Sequence, residues 1–303
     1  MKLQPLRDSG TSRKVTFSDY RGSPDIVRRT CWSLLLLPSL GASSLAAQTT
    51  TAAGVTVGSA QLTDQRSEQA LSAALQLQTT PWLSFSAIPG VVHVRDVVNG
   101  RPVTSTGLGD LPLSAAAAHT FAGPTTPTVA AALTLVLPTG NASCGLGSGA
   151  TSAGLDIGFA TSPNPRLHVS ADASRSVSHA SSQSTLSAPR ATSVLVGGGY
   201  EFSRLWRADA SLGIDVGQSD STQALSRVLG GGVTRRLGGR LALTMDGSVG
   251  LTAGSPKWVI SLGIGTVYAG TSPVALSAPL KRLRSDFTGG VSRQSGSGKI
   301  GCR

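Results

Sequence analysis

The chain has 303 residues, of which 4% are aromatic and 14% are charged, and its formal net charge is +11. A soluble domain of this length normally anchors its core on more large side chains, so the composition argues against one. The positive charge lies at the two ends, because residues 48–270 hold 13 basic and 11 acidic side chains. This middle region has no basic stripe interleaved with aromatic residues, so we expect no nucleic-acid partner.

The first 47 residues predict export. Residues 1–27 are polar and without pattern, and we interpret them as unstructured or as a misassigned start of the gene. In residues 28–47, two arginines precede a short apolar run that ends in small residues, which is the order of a signal peptide. The run is shorter than the roughly 20 apolar residues that span a bilayer. We therefore expect cleavage after Ala46 or Ala47.

Apolar and polar side chains alternate through residues 48–270, which is the period of a strand with two different faces. Leu212, for example, falls on the apolar face of its segment and Ser211 on the polar face. The alternation predicts an all-β fold, an antiparallel transmembrane up-and-down β-barrel of about twelve strands. The strands are expected at 53–62, 68–78, 83–97, 109–121, 128–138, 152–161, 166–176, 191–202, 206–217, 227–237, 240–251 and 258–269. A β-sandwich or solenoid would need a packed core that the sequence does not offer.

Three further features bear on this barrel. Ile88-Pro89-Gly90 interrupts the third strand and predicts a bulge. Short links alternate with longer polar links such as 98–108, 139–151, 177–190 and 218–226, the pattern of periplasmic turns and external loops. With the first strand rising from the periplasm, eight of the nine aromatic residues between 48 and 270 fall at the periplasmic interface, where such rings concentrate. Residues 271–303 are basic and contain Gly and Ser, and we expect a disordered tail there.

Three glycine-containing motifs follow one another between the third and sixth predicted strands. They are Gly107-Leu108-Gly109-Asp110-Leu111, Leu137-Pro138-Thr139-Gly140 and Gly145-Leu146-Gly147-Ser148-Gly149. Their order resembles the outer-membrane family of meta-pathway phenol-degradation proteins, over most of 53–269. The resemblance implies a barrel that carries aromatic or other hydrophobic compounds inward. From the residues themselves, we expect Asp110 to begin a descending strand with its side chain toward the lumen, and the motifs to act as turn and register devices without contacting a ligand.

The sequence predicts a charged lumen rather than an enzyme active site. The predicted lumen-lining residues are Asp110, Asp156, His168, Asp172, Arg207, Asp209, Asp215, Arg240 and Asp246. We interpret them as a lining of mixed charge that tunes solute selectivity. His93 is also expected to face inward, and Leu195 and Val136 are the clear apolar candidates there.

No Gly-x-Ser-x-Gly or His-Glu-x-x-His motif occurs, so we expect no enzyme activity, no metal and no cofactor. A serine–histidine pair assembled across strands would leave no such motif.

These predictions favour an outer-membrane channel or transporter for small solutes, including hydrophobic or aromatic ones. The alternative is a structural or surface-interaction barrel without transport, although loops poor in aromatic and charged residues argue against adhesion. The expected location is the outer membrane of a Gram-negative bacterium. Its lipid and lipopolysaccharide, the barrel-insertion machinery and a small-molecule solute are the expected partners.

Overall fold

The computed structural model describes residues 50–179, 191–216, 226–238 and 241–266. The predicted start region 1–27, signal peptide 28–47 and tail 271–303 lie outside these ranges. In the part of the chain that is described, no helix is long and apolar enough to cross a membrane.

The described residues form fourteen β-strand segments and one 3-10 turn at Ala142–Cys144. The segments are β1 (Thr50–Gln61), β2 (Ser67–Thr80), β3 (Leu83–Ala87), β4 (Gly90–Val98), β5 (Arg101–Leu108), β6 (Leu111–Thr120), β7 (Thr128–Leu137), β8 (Thr151–Asn164), β9 (Leu167–His179), β10 (Ala191–Glu201), β11 (Trp206–Val216), β12 (Arg227–Gly238), β13 (Leu241–Gly250) and β14 (Trp258–Thr266).

The sheet is closed, because β1 pairs with β2 on one side and with β14 on the other. Neighbouring segments pair antiparallel throughout the ring. β3 and β4 lie in line and both pair with β2, while β6 and β5 form the opposite arm of the same long hairpin. Counting each in-line pair as one strand gives the twelve-stranded antiparallel barrel that the alternation predicted.

The two faces of the wall differ in the way the alternation requires. Aliphatic side chains such as Leu133, Ile157 and Leu212 are exposed, and they lie on the convex outer face. The residues between them are mostly Gly, Ala, Ser, Thr and Asp, and many are buried on the concave inner face. A closed barrel of small inward side chains therefore separates an aliphatic exterior from a polar lumen.

The link predicted at 98–108 is wrong. Residues 101–108 form β5, which pairs with β4, and the connection shrinks to Asn99-Gly100. Both turn residues have positive φ, 53° and 75°, as a two-residue hairpin turn requires. The alternation missed β5 because two successive positions of its outer face carry Thr104 and Thr106.

The bulge lies opposite the position that the sequence predicted. Pairing does break at Ile88-Pro89, since proline has no N–H for the ladder, but the register against β2 is the same on both sides. The inserted residue is on the facing arm, as the pairs Ala87–Leu113 and Val91–Leu108 show. Between these two pairs the chain advances four residues on the β3–β4 arm and five residues on the β5–β6 arm. This bulge between β5 and β6 allows Gly109 and Asp110 both to face the lumen.

The barrel has two unlike ends. At the turn end lie the short links 81–82, 121–127, 165–166 and 202–205, and at the loop end lie the links 62–66, 99–100, 138–150 and 251–257. Seven exposed aromatic residues lie toward the turn end, and Trp258 lies at the loop end. Tyr268 is outside the described residues. Arg235, on the outer face, stacks over Trp206 with its guanidinium carbon 5.2 Å from the ring centroid, which explains a charge on the aliphatic side.

Candidate functional site in the barrel lumen

The three glycine-containing motifs meet inside the loop end of the barrel. β7 ends at Leu137 and β8 begins at Thr151, and residues 138–150 between them fold inward. We call these residues the inward loop. Its middle is a 3-10 turn that begins after Asn141, whose side chain accepts a hydrogen bond from the Ser143 N–H. The Asn141 carbonyl accepts further bonds from the N–H groups of Cys144 and Leu146, so the loop has a structure of its own.

Asp110 ties this loop to the wall. Its carboxylate accepts hydrogen bonds from the Gly140 N–H at 3.1 Å and from the Ser148 N–H and hydroxyl at 2.7 Å each. The Thr139 hydroxyl adds a 2.7 Å bond to the Gly109 carbonyl. Asp110 is only 3% exposed, and hydrogen bonds to a buried carboxylate are among the strong ones. The first motif therefore holds the second and the third in place.

Leu146 is the apolar anchor of the inward loop. It is 4% exposed and packs in a cluster of inward-facing residues from β1, β2, β4 and β14. These are Ala60, Ala70, Val92, Val94 and Val259. Beside the cluster, the Arg66 guanidinium donates to the Gly145 carbonyl at 3.0 Å and lies 4.0 Å from the Asp96 carboxylate. The loop thus narrows the lumen with a small hydrophobic core.

Glycine is required where the loop and wall approach most closely. A Cβ on Gly147 would overlap the Asp110 carboxylate, and one on Gly140 would lie 2.5 Å from the Leu146 carbonyl oxygen. Gly145 and Gly149 have φ of 72° and 68°, a conformation that side chains disfavour. The motifs were predicted to act as turn and register devices, and the structure shows that their glycines also allow close packing of the loop against the wall.

A second polar cluster lies on the inner face near the turn end. Arg207 binds Asp209 through both Nε and Nη2, at 2.7 and 2.6 Å from the same carboxylate oxygen. Glu201, directly opposite Arg207 on β10, lies 3.4 Å from Arg236 and 3.6 Å from the His168 Nε2 atom. These ion pairs place both signs of charge at one level of the lumen.

A serine–histidine contact does occur in this cluster. The Ser162 hydroxyl lies 2.7 Å from His168 Nδ1, and Glu201 approaches the other ring nitrogen. The hydroxyl and the imidazole belong to the two arms of the β8–β9 hairpin. In the described ranges, no three His, Cys, Asp or Glu side chains form a group that could hold a metal ion.

The other predicted lumen-lining residues are spread around the barrel. Asp156, Asp172, Asp215 and Asp246 alternate with outward aliphatic residues and are buried or half-buried. Asp209 and Asp246 flank Gly232 on opposite sides of β12 and so lie at the same height. Arg240 lies outside the described residues.

His93, which was expected to face inward, lies on the outer face instead, because its neighbours Val92 and Val94 point inward. Its Nδ1 atom is 2.6 Å from the Thr106 hydroxyl.

Comparison with known proteins agrees with this architecture. A family described as "Putative MetA-pathway of phenol degradation" matches residues 43–268, about three quarters of the chain. The chain belongs to this family. No curated protein matches it. In this family member the three motifs meet at one loop, and these contacts explain structurally why the motifs occur together in the sequence.

Solved barrels of the outer membrane are similar in fold. The COG4313 outer membrane channel from Pseudomonas putida F1 superimposes with a TM-score of 0.59 and 16% identity, over 72% of this chain and 95% of that one. The KdgM porin in complex with disordered oligogalacturonate gives 0.49 and 6%, over 72% and 99%. The CymD monoaromatic hydrocarbon channel gives 0.43 and 11%, over 73% and 88%. The likeness to the channel from Pseudomonas putida F1, at 16% identity, shows the fold alone.

Sequence reasoning missed the apolar part of the lumen. Leu195 and Val136 do lie on the inner face, but the larger apolar surface is formed by Leu146 and the valines around it. Glu68 was missed as well: it is 1% exposed and lies opposite Ala60 on β1 and Val94 on β4. The alternation pattern contained the signal for Glu68, Val92 and Val94, whereas nothing local marked Leu146 as a lumen residue.

Proposed function

We propose that this protein is an outer-membrane channel that carries small solutes, hydrophobic and aromatic ones among them. The observation that carries the proposal is the lumen itself. A closed wall with an aliphatic exterior surrounds ion-paired side chains at the turn end and the apolar inward loop at the loop end. A solute that crosses meets both surfaces in turn, and channels select by such linings and constrictions. The family description and the channel from Pseudomonas putida F1 support transport as the role.

The predicted lumen-lining carboxylates belong to this proposal. Asp209 is charge-paired with Arg207, so its own charge is balanced locally. A lumen of mixed charge presents no single-sign ring that excludes either ion. Weak ion selectivity is therefore part of the proposed function, and the outer aliphatic band is the surface that would contact lipid and lipopolysaccharide.

The transport proposal is tested with purified protein in vesicles that contain lipopolysaccharide. We expect faster swelling in small sugars and faster phenol entry than in matched protein-free vesicles, because the barrel offers a route through the wall. Circular dichroism and heat-modifiable gel mobility establish that the reconstituted protein is folded. A folded barrel that accelerates neither solute would contradict the proposal and favour a structural or surface-interaction barrel.

Location gives a separate prediction. The exported chain should fractionate with the outer membrane, and its N-terminal sequence should begin at Ala47 or Gln48. Unboiled protein should migrate differently from boiled protein in a gel, because a closed barrel has no free edge at which detergent can begin to open it. Recovery of the chain in the soluble periplasmic fraction would overturn the location.

A further inference from the structure

We propose that Asp110 is a positioning residue that holds the inward loop across the lumen, and that the position of this loop sets the size of solute that passes. The inference rests on the proposed channel function and adds to it the element that controls the passage. Asp110 itself has its carboxylate turned to the loop, so it acts on the solute only through residues 138–150.

Asp110 is fixed on the wall side of this contact. It follows the bulge between β5 and β6, where the Gly109 N–H donates to the Gly90 carbonyl at 3.0 Å and the Pro112 carbonyl accepts from Ile88 at 3.1 Å. The backbone on both sides of the carboxylate is thus bound to the neighbouring strand. If the distance between Asp110 and the loop changes, it is therefore the loop that moves and not Asp110.

The loop is built to move as one piece. Its internal hydrogen bonds run between residues 141 and 150, and glycines with positive φ lie at 145 and 149. Among the described residues, five hydrogen bonds attach it to residues outside its own β7–β8 hairpin: the three bonds to Asp110, the Thr139–Gly109 bond and the Arg66–Gly145 bond. Leu146 adds apolar packing. Asp110 accepts three of these five bonds and is the only charged acceptor among them.

Loss of the carboxylate should release the loop while the wall stays closed. Asp110→Ala removes three hydrogen bonds to a charged group, which shifts the balance between a held and a released loop by about tenfold or more. Asp110→Asn keeps the shape and one acceptor oxygen but loses the charge, so its effect should be intermediate. The strand pairings near Asp110 are backbone bonds and remain available in both variants.

The experiment measures single-channel conductance in planar bilayers and the largest sugar that swells vesicles, for the wild-type chain and the two variants. We expect larger conductance levels and a larger sugar limit in the order wild type, Asp110→Asn, Asp110→Ala. Asp64→Ala is the matched control, because Asp64 is an exposed carboxylate at the same end that pairs with Lys257 and makes no described contact with the inward loop. Its conductance should equal that of the wild type.

The outcomes separate this inference from the channel proposal. If the wild-type barrel passes no solute, the channel function fails. If it passes solutes and folded Asp110→Ala and Asp110→Asn have the same conductance and sugar limit as the wild type, the positioning role of Asp110 is wrong. Heat-modifiable mobility of each variant shows that the barrel has formed. Should Asp110→Ala not fold, the isosteric Asp110→Asn decides the question.

Discussion

Replacing Leu212 by arginine is expected to destabilise the barrel by about 2–4 kcal/mol, because the new charge would lie at lipid depth. Leu212 is 39% exposed on the outer face of β11, near the middle of the strand. An arginine there would exchange an aliphatic contact with hydrocarbon for a charge that water cannot reach. Urea titration of the protein refolded into lipid vesicles measures the change in the free energy of unfolding.

The adjacent residue provides the matched control. Ser211 faces the lumen, and the residues paired with it on β10 and β12 are Gly197 and Gly230, which have no side chains on that face. An arginine at 211 would also be two residues from Asp209, on the same face. We therefore expect Ser211→Arg to cost much less than Leu212→Arg. If the two costs were reversed, the register of β11 would be off by one residue.

The wall of the barrel could be predicted because lipid imposes a strict requirement on it. Every outward position at membrane depth must be apolar, so the period of two appears directly in the sequence, as around Leu212. That requirement weakens beyond the membrane. β5, whose outward residues include Thr104 and Thr106, carries no aliphatic stripe, and the sequence analysis therefore placed a loop where the hairpin continues.

The bulge shows a second limit of what local sequence patterns can predict. Pro89 correctly marked a break in pairing, but a sequence break does not say which of two paired strands holds the extra residue. The insertion lies near Gly109, on the facing arm. The same insertion turns Asp110 toward the inner face, and nothing in the local sequence pattern predicted the insertion.

The site could be predicted only in pieces. Asp110 and the glycines were recognised as motifs, yet the partners of Asp110 lie 30 and 38 residues further along the chain. The alternation of apolar and polar residues cannot predict a contact between a wall residue and a loop residue so far apart in the sequence. Leu146 lies between two glycines in a polar link, where composition alone predicts exposure, and only the inward fold of the loop explains its burial.

The ion pair between Arg207 and Asp209 is expected to contribute the largest single polar effect on stability. The Asp209 side chain is 2% exposed and that of Arg207 is 13% exposed. Gly199, on the neighbouring strand, leaves the space that the pair occupies, since a Cβ there would lie 2.7 Å from an Arg207 nitrogen. Asp209→Ala would leave a largely buried guanidinium without this partner, at a cost of about 3 kcal/mol. Urea titration in vesicles measures that cost.

Removing both charges should be milder than removing one. In the double variant Arg207→Met, Asp209→Leu, no charge is left uncompensated, and replacing a buried ion pair by apolar residues of similar volume is often close to neutral. The double variant should therefore be more stable than Asp209→Ala alone. Wild type, Arg207→Met, Asp209→Leu and the double variant together form a double-mutant cycle that isolates the pair. The neighbouring carboxylate of Glu201 limits the effect, because it lies opposite Arg207 and can take over part of the pairing. Equal stability of Asp209→Ala and the wild type would mean that Glu201 or lumen water compensates Arg207 fully, and the pair would then shape the charge of the lumen without stabilising the fold.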